Sequence, residues 1–211
     1  MGDNEAAVVA NRRQLASVLP AGAAVSWLTQ VHGTVVIPAE SVGAYPVADA
    51  QWSRTRGVAC AVLTADCLPV LLCSLAGDVV AAAHAGWRGL LAGVLEATVA
   101  QMRTPPGQLL AWLGPAIGPA AFEVGPEVRA AFLAAAGPTR ARTIAAAFSP
   151  SPARQDHYLA DLYALARVRL GDCGVSRVHG GDWCTYRDPE RFFSYRRDGH
   201  TGRMASLILL R

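Results

Sequence analysis

The chain has few charged residues and no long apolar run. Charged residues make up 17% of its 211 residues and hydrophobic residues 52%, a balance that favours a compact interior and excludes a disordered chain. The longest apolar stretches, such as residues 68–73 and 79–83, are far too short to span a bilayer, so we expect no membrane partner. A chain of this length can bury one sizeable core.

A continuous basic tract is also missing. The 19 basic residues are arginines that fall in small groups, such as Arg196 with Arg197, and the formal net charge is +3. Because nucleic-acid binding needs a basic stripe or a recognisable module, we expect no nucleic-acid partner. Scattered arginines weakly favour a small anionic ligand over nucleic acid, and an ordinary charged surface is the commoner explanation for any single arginine group.

The five cysteines include no Cys-x-x-Cys pair. Residues 1–4 carry neither the basic nor the apolar segment of a secretory signal. We therefore expect a cytoplasmic protein with free thiols, one of which is available for metal binding or catalysis.

Hydrophobic periodicity predicts a mixture of helices and strands. Helices are expected at 6–19, 87–102, from Pro126 onward and at 159–170, and residues 139–156 are expected to form an exposed connection. The expected strands are 25–33, 35–38, 58–63, 68–74, 79–84, 109–113, 175–179 and 204–210. This order favours a layered α/β class with mixed sheets, and no linker divides the chain, so residues 1–211 are expected to form a single domain.

Three segments each carry a metal-ligand side chain beside a turn: Gln-Val-His-Gly at 30–33, Thr-Ala-Asp-Cys-Leu-Pro at 64–69 and His-Ala-Gly-Trp-Arg-Gly at 84–89. Two imidazoles and a thiolate, from His32, Cys67 and His84, are a normal zinc set that leaves one coordination position open. Their spacing alone leaves the alternative that these residues are core histidines and an inert thiol.

Several motifs of other enzyme classes are missing. The five histidines include no His-x-His pair, which excludes the copper cluster of a true multicopper oxidase and makes copper a less favoured metal than zinc. The nucleoside-deaminase pattern of His-x-Glu with Pro-Cys-x-x-Cys is absent. The Gly/Pro-rich loop at 114–125 has no nucleotide-binding P-loop pattern.

Together with the segments 114–119, 122–125, 184–185 and 192–197, the three ligand segments closely resemble the YfiH family over residues 2–211. This family is also called the laccase-like multicopper polyphenol oxidase family, and it includes the peptidoglycan editing factor. The resemblance implies a four-layer α/β/α/β sandwich in which His32, Cys67 and His84 bind Zn²⁺. It also implies phosphorolysis of adenosine, inosine, guanosine and methylthioadenosine, and deamination of adenosine.

Roles for the remaining candidate residues follow from this chemistry. Phosphate is best held by arginine, for which Arg88 and Arg196 are the leading candidates and Arg12 a weaker one; a structural salt bridge is an equal alternative for each. Deamination needs a carboxyl group that moves protons, and Asp66 adjoins Cys67. The alternative for Asp66 is a turn residue or a group that orients a ligand histidine.

Two other functions stay open. The first is a hydrolase that releases L-serine from UDP-MurNAc-L-Ser, a cell-wall precursor, with Cys67 as the nucleophile. The second is a non-catalytic metal-binding module, an alternative raised because family members begin some tens of residues earlier, with a strand that contributes to the pocket. Copper bound at the His/Cys site would also allow weak polyphenol oxidation.

Overall fold

The computed structural model of the protein describes residues 4–40 and 45–211. Across these residues the helices are α1 (Glu5–Val18), α2 (Trp87–Ala92), α3 (Val94–Met102), α4 (Pro126–Ala145), α5 (Leu162–Asp172) and α6 (Tyr195–Asp198), with a 3-10 turn at Pro106–Gln108. No helix within the described ranges combines the length and the apolar character that crossing a membrane requires.

The described strands are β1 (Ala24–Ser26), β2 (Val36–Pro38), β3 (Ala50–Ser53), β4 (Val58–Thr64), β5 (Leu68–Ser74), β6 (Val80–Ala85), β7 (Leu109–Leu113), β8 (Glu123–Val124), β9 (Phe148–Pro150), β10 (Tyr158–Ala160), β11 (Arg177–Gly180) and β12 (Met204–Leu209). A large six-stranded sheet has the order β11-β7-β5-β6-β3-β2, and two three-stranded sheets have the orders β1-β4-β12 and β8-β10-β9. Parallel and antiparallel pairs occur in the first two sheets.

The layers are visible in the alternation of side chains along β6. Ala81, Ala83 and Ala85 pack in the main core with α2, α3 and α5, whereas Val80 and Ala82 pack against residues of β4. Because successive side chains of a strand point to opposite faces, the helices cover one face of the large sheet and the β1-β4-β12 sheet covers the other. The predicted layered α/β class with mixed sheets is confirmed.

Some predicted elements are wrong in their extent. The helix expected at 87–102 is two helices, because Gly93 adopts a left-handed conformation with φ 103 and ends the first of them. The connection expected at 139–156 begins with the second half of α4, which resumes after the non-helical Gly137, and it also contains β9. The helix expected at 159–170 begins at Leu162, because Tyr158–Ala160 form β10. The short strands β3 and β8 were not predicted.

Candidate metal centre

Cys67 lies on the connection from the β1-β4-β12 sheet to the six-stranded sheet. Strand β4 ends at Thr64 and β5 begins at Leu68, so residues 65–67 carry the chain from the small sheet to the large one. Asp66 has a left-handed backbone, φ 88, and its carbonyl accepts a hydrogen bond of 2.9 Å from the Ile117 amide. The tight turn leaves the Cys67 side chain half-buried at the edge where these two sheets meet.

His84 reaches the same edge from β6. It shares the face of Val80 and Ala82, which points away from the helices toward the small sheet. Only 3% of its surface is exposed, and its backbone amide donates to the Asp49 carbonyl at 2.7 Å. The imidazole is therefore fixed by the strand and covered by protein.

His32 approaches from a loop after β1, in a left-handed conformation with φ 63. The strand predicted for 25–33 is therefore wrong beyond Ser26. The Gln30 side chain supports the loop, because its amide donates to the Leu63 carbonyl at 2.8 Å and accepts from the Leu63 amide at 2.7 Å. These two bonds attach the loop to β4, and the His32 side chain remains exposed to solvent.

The three side chains converge on one point. Their ligand atoms lie within 4.8 Å of one another, and the set is buried at His84 and open at His32. Cys67 Sγ lies 3.6 Å from His32 Nε2, and the two imidazole rings lie 4.7 Å apart at 66°. Among residues 4–40 and 45–211, no other set of three or more His, Cys, Asp or Glu side chains is arranged to hold a metal ion.

The 3.6 Å distance between Cys67 Sγ and His32 Nε2 fits a zinc ion bound by both atoms. Zinc–sulfur bonds of about 2.3 Å and zinc–nitrogen bonds of about 2.0–2.1 Å in a tetrahedron separate the two donor atoms by roughly 3.5 Å. A side chain at Gly86 would fill the same space, since its Cβ would lie 2.8 Å from His32 Cδ2 and 2.9 Å from Cys67 Sγ. The donor types, their spacing and the bare glycine suit a borderline-soft ion with one open coordination position.

Asp49 accepts hydrogen bonds from two residues of this cluster and is completely buried. Its Oδ1 accepts from His84 Nδ1 at 2.8 Å and from the His32 amide at 2.9 Å. Its Oδ2 accepts from the Val31 amide at 3.1 Å and from the Gly33 amide at 2.7 Å. Because Nδ1 of His84 faces a carboxylate, Nε2 is the nitrogen left for a metal.

The charges of the cluster favour a thiolate at Cys67 and an imidazolium at His84, whose Nε2 proton a metal would displace. Burial alone would raise the pKa of Cys67, but hydrogen bonds from His32 and His84 lower it to about 6. Burial opposes protonation of His84, yet its hydrogen bonds to Asp49 and Cys67 raise its pKa to about 9. Burial likewise disfavours the charged form of Asp49, and the hydrogen bonds from His84 and the backbone still leave its pKa below the ordinary value. Cys67 is thus ready to act as a thiolate ligand.

Asp66 faces away from solvent into a set of hydrogen bonds. Its Oδ1 accepts from the Thr185 hydroxyl at 2.6 Å, and its Oδ2 accepts from the Arg196 amide at 2.6 Å. Thr185 is completely buried and Asp66 is 9% exposed. Both carboxylate oxygens therefore have protein partners, and one of these partners lies in the first turn of α6.

The three candidate arginines lie in different surroundings. Arg88 is exposed in the first turn of α2, with its guanidinium 4.6 Å from the Trp87 ring. Arg196 is exposed and donates to the Glu123 carbonyl at 2.9 Å. Arg12 lies 4.5 Å from the Trp27 ring and hydrogen-bonds the hydroxyl of Tyr45.

Sequence reasoning did not single out Asp49, Gly86 or Gln30. Gly86 and Gln30 lie within the quoted motifs, but nothing local indicates that one must lack a side chain or that the other pairs with β4. Asp49 follows Val47 and Ala48 and precedes Ala50, and an acid flanked by small apolar residues is a weak signal of a buried, hydrogen-bonded carboxylate.

The whole chain matches a known family. The family model described as multi-copper polyphenol oxidoreductase laccase covers residues 1–211. The chain is 55% identical to "Purine nucleoside phosphorylase PA4543" of Pseudomonas aeruginosa, over 99% of this chain and 82% of that protein. It is 53% identical to "Purine nucleoside phosphorylase YfiH" of Escherichia coli, over 99% of this chain and 83% of that protein.

Solved structures show the same fold. The crystal structure of Neisseria meningitidis protein NMB0706 superposes with a TM-score of 0.91 at 52% identity, covering 99% of this chain and 83% of that one. The crystal structure of YlmD from Geobacillus stearothermophilus gives a TM-score of 0.86 at 31% identity, covering 100% of this chain and 82% of that one.

Proposed function

Because the chain belongs to the multi-copper polyphenol oxidoreductase laccase family, also known as the YfiH family, we propose that it is a zinc-dependent purine nucleoside phosphorylase. The observation that carries the proposal is the convergence of His32, Cys67 and His84, whose ligand atoms lie within 4.8 Å of one another. Relatives more than half identical to this chain are named purine nucleoside phosphorylases. We expect adenosine, inosine, guanosine and methylthioadenosine as substrates.

Phosphorolysis joins a phosphate oxygen to C1′ of the sugar while the bond from C1′ to the base nitrogen breaks. The base leaves with the electron pair and takes up a proton, and the sugar leaves as its 1-phosphate. A zinc ion held by His32, Cys67 and His84 would orient phosphate or polarise the substrate. Substrate enters on the side of His32, because that ligand is exposed and His84 is buried.

In this proposal the arginines bind the phosphate, the substrate that carries most of the charge. Arg88 follows His84 by four residues and is exposed, and its guanidinium would leave the Trp87 ring, 4.6 Å away, to bind a phosphate at the metal. Arg196 and Arg12 are weaker candidates, because Arg196 already donates to a backbone carbonyl and Arg12 is held between aromatic rings. Paired hydrogen bonds from arginine suit a phosphate's geometry.

Adenosine deamination is proposed as a second activity of the same site. Water adds at C6 and ammonia leaves, which requires a group that transfers protons. Asp66 can serve only if one of its hydrogen bonds, to Thr185 or to the Arg196 amide, is exchanged for one to the substrate. Conversion of adenosine to inosine without phosphate measures this activity separately from phosphorolysis.

The experiment is a phosphate-dependence assay with zinc-loaded protein. We expect hypoxanthine and ribose 1-phosphate from inosine only when phosphate is present, and loss of both products in Cys67→Ala. The matched control is Cys73→Ala, since Cys73 lies half-buried in β5 away from the cluster. Zinc-loaded protein that releases no free base from any of the four nucleosides would overturn the proposal.

A thiol hydrolase is the second candidate, favoured by the 3.6 Å approach of Cys67 Sγ to His32 Nε2 and by a pKa of about 6 for Cys67. A thiolate beside an imidazole is a potential nucleophile. The candidate substrate is UDP-MurNAc-L-Ser, which would release L-serine. Metal analysis separates the two functions: stoichiometric zinc assigns Cys67 to coordination, whereas metal-free protein that releases serine assigns it to nucleophilic attack.

A further inference from the structure

We propose that Asp49 is the positioning residue that sets two of the three ligands of the proposed zinc site at once, His84 through its side chain and His32 through the backbone. This inference rests on the proposed function and adds a residue to its site. Asp49 comes directly before β3 and contributes no ligand atom itself. Its influence on the metal is therefore entirely indirect.

The first connection runs to the imidazole of His84. An ionised carboxylate can only accept hydrogen bonds, so His84 Nδ1 must carry a proton where it faces Asp49 Oδ1 at 2.8 Å. That bond fixes the rotation of the ring and commits Nε2 to the metal. Both side chains are almost completely buried, with exposures of 4% and 0%, so water cannot replace the bond.

The second connection runs to the loop that carries His32. Three consecutive backbone amides, of Val31, His32 and Gly33, donate to the same carboxylate. His32 has a φ of 63, a conformation that costs a non-glycine residue free energy and persists only when its surroundings hold it. Charge-assisted hydrogen bonds from three amides supply that restraint, and they place the imidazole 3.6 Å from Cys67 Sγ.

Both connections end at the Asp49 carboxylate, so any change to this group affects His84 and the His32 loop together. Each oxygen of Asp49 accepts two of the four hydrogen bonds. An asparagine has the same shape but only one acceptor oxygen, and its NH₂ group would face two donors. With the NH₂ group at the Oδ1 position, His84 Nδ1–H and the His32 amide lose their acceptor. With the NH₂ group at the Oδ2 position, the Val31 and Gly33 amides lose theirs.

The test is zinc affinity, measured by competition with a chromophoric chelator, in wild type and in Asp49→Asn. We expect about 10–100-fold weaker binding in the variant, the range found when an outer partner of a metal-bound histidine is removed. The matched control is Asp161→Asn. Asp161 precedes α5, and its carboxylate also accepts a hydrogen bond from a backbone amide. We expect that control to bind zinc as tightly as wild type.

A second measurement separates positioning from mere stability. In zinc-loaded wild type, the ¹⁵N-edited NMR spectrum should show a slowly exchanging proton on His84 Nδ1, and this measurement holds even if Asp49→Asn fails to fold. Wild type that binds zinc with Nδ1 unprotonated, or a folded Asp49→Asn of unchanged zinc affinity, would overturn the inference and leave the proposed function intact. Wild type that binds no zinc would overturn the zinc site itself.

Discussion

The Asp66 carboxylate accepts a hydrogen bond from the Thr185 hydroxyl at 2.6 Å, although the two residues are 119 positions apart in the sequence. Thr185 is fully buried, and the neighbouring Cys184 forms a β-bridge with Ala116. Asp66 therefore connects the turn that carries Cys67 to a distant segment of the chain. This contact allows its structural role to be measured apart from any catalytic one.

The first prediction concerns this pair. Thr185→Val removes the hydroxyl and keeps the shape, so one carboxylate oxygen loses a buried partner, and we expect the free energy of unfolding to fall by about 1–3 kcal/mol. Asp66→Asn keeps one acceptor oxygen but turns an NH₂ group toward either Thr185 or the Arg196 amide, so it should cost a similar amount. The effects of the two changes should not add in the double variant, because both alter the same hydrogen-bonded pair. Urea denaturation of the four proteins measures this coupling.

A fully additive double variant would contradict the coupling between the two side chains. The same proteins also test the proton-transfer role of Asp66. If Asp66 only positions the turn, Thr185→Val and Asp66→Asn should lower adenosine deamination to a similar degree. Loss confined to Asp66→Asn would assign the carboxyl group to the chemistry.

The second prediction concerns the space at Gly86. Gly86→Ala adds a Cβ 2.8 Å from His32 Cδ2 and 2.9 Å from Cys67 Sγ, and the backbone there, φ −62 and ψ 158, is open to any residue. The effect is therefore steric. We expect a loss of about 1–3 kcal/mol in stability, the usual cost of overpacking, and weaker zinc binding by at least about tenfold.

Gly171→Ala is the matched control for this change. Gly171 lies in α5, and a Cβ built there meets nothing within 4 Å. We expect Gly171→Ala to raise stability by about 0.4–1 kcal/mol, because alanine restricts the unfolded chain, and to leave zinc binding unchanged. Equal zinc affinity in Gly86→Ala would mean that the metal does not bind between His32 and Cys67.

The third prediction concerns the phosphate. Arg88→Met keeps the apolar stem of the side chain and removes its charged end, and a lost hydrogen bond to a charged group costs about 1.5–3 kcal/mol. We expect the KM for phosphate to rise by roughly 10–100-fold, with a smaller change in the KM for inosine. Steady-state kinetics with each substrate varied in turn measure the two constants.

Arg177→Met serves as the comparison, because Arg177 lies on edge strand β11 and donates to the Gly107 carbonyl at 3.0 Å. It should leave both constants unchanged. An unaltered phosphate KM in Arg88→Met would shift the assignment to Arg196 or Arg12. The corresponding methionine variants extend the test to those positions.

The fourth prediction concerns metal removal. A ligand that binds only the folded state at 100 times its Kd stabilises that state by about 2.7 kcal/mol. For a domain of this size we therefore expect a chelator to lower the Tm of the zinc-loaded protein by about 5–10 °C. Cys67→Ala should show no chelator effect, and an equal drop in that variant would point to a metal bound elsewhere.

Much of the fold was readable from the sequence because its elements carry strong local patterns. Strands β4, β5 and β7 are short apolar runs bounded by turns, and α5 shows a helical repeat. Where the predicted elements were wrong, contacts between distant segments or a single glycine conformation determined the structure. Gly93 divides one amphipathic pattern into two helices, and the loop carrying His32 has the composition of a strand but pairs through the Gln30 side chain.

Part of the candidate site could likewise be predicted from the sequence, and part of it could not. The ligand residues His32, Cys67 and His84 are visible because a metal requires particular side chains. Asp49 is not visible, because its importance comes from four donors brought together by folding. Nor does a single sequence show that both oxygens of Asp66 are already engaged.

X-ray absorption at the zinc edge, on protein purified without chelators, reports the ligands of the metal. We expect one sulfur ligand at about 2.3 Å and two imidazole nitrogens at about 2.0–2.1 Å, with the sulfur contribution absent in Cys67→Ser. A wild-type spectrum without sulfur, or with two or more sulfur ligands, would contradict a single ion bound by His32, Cys67 and His84.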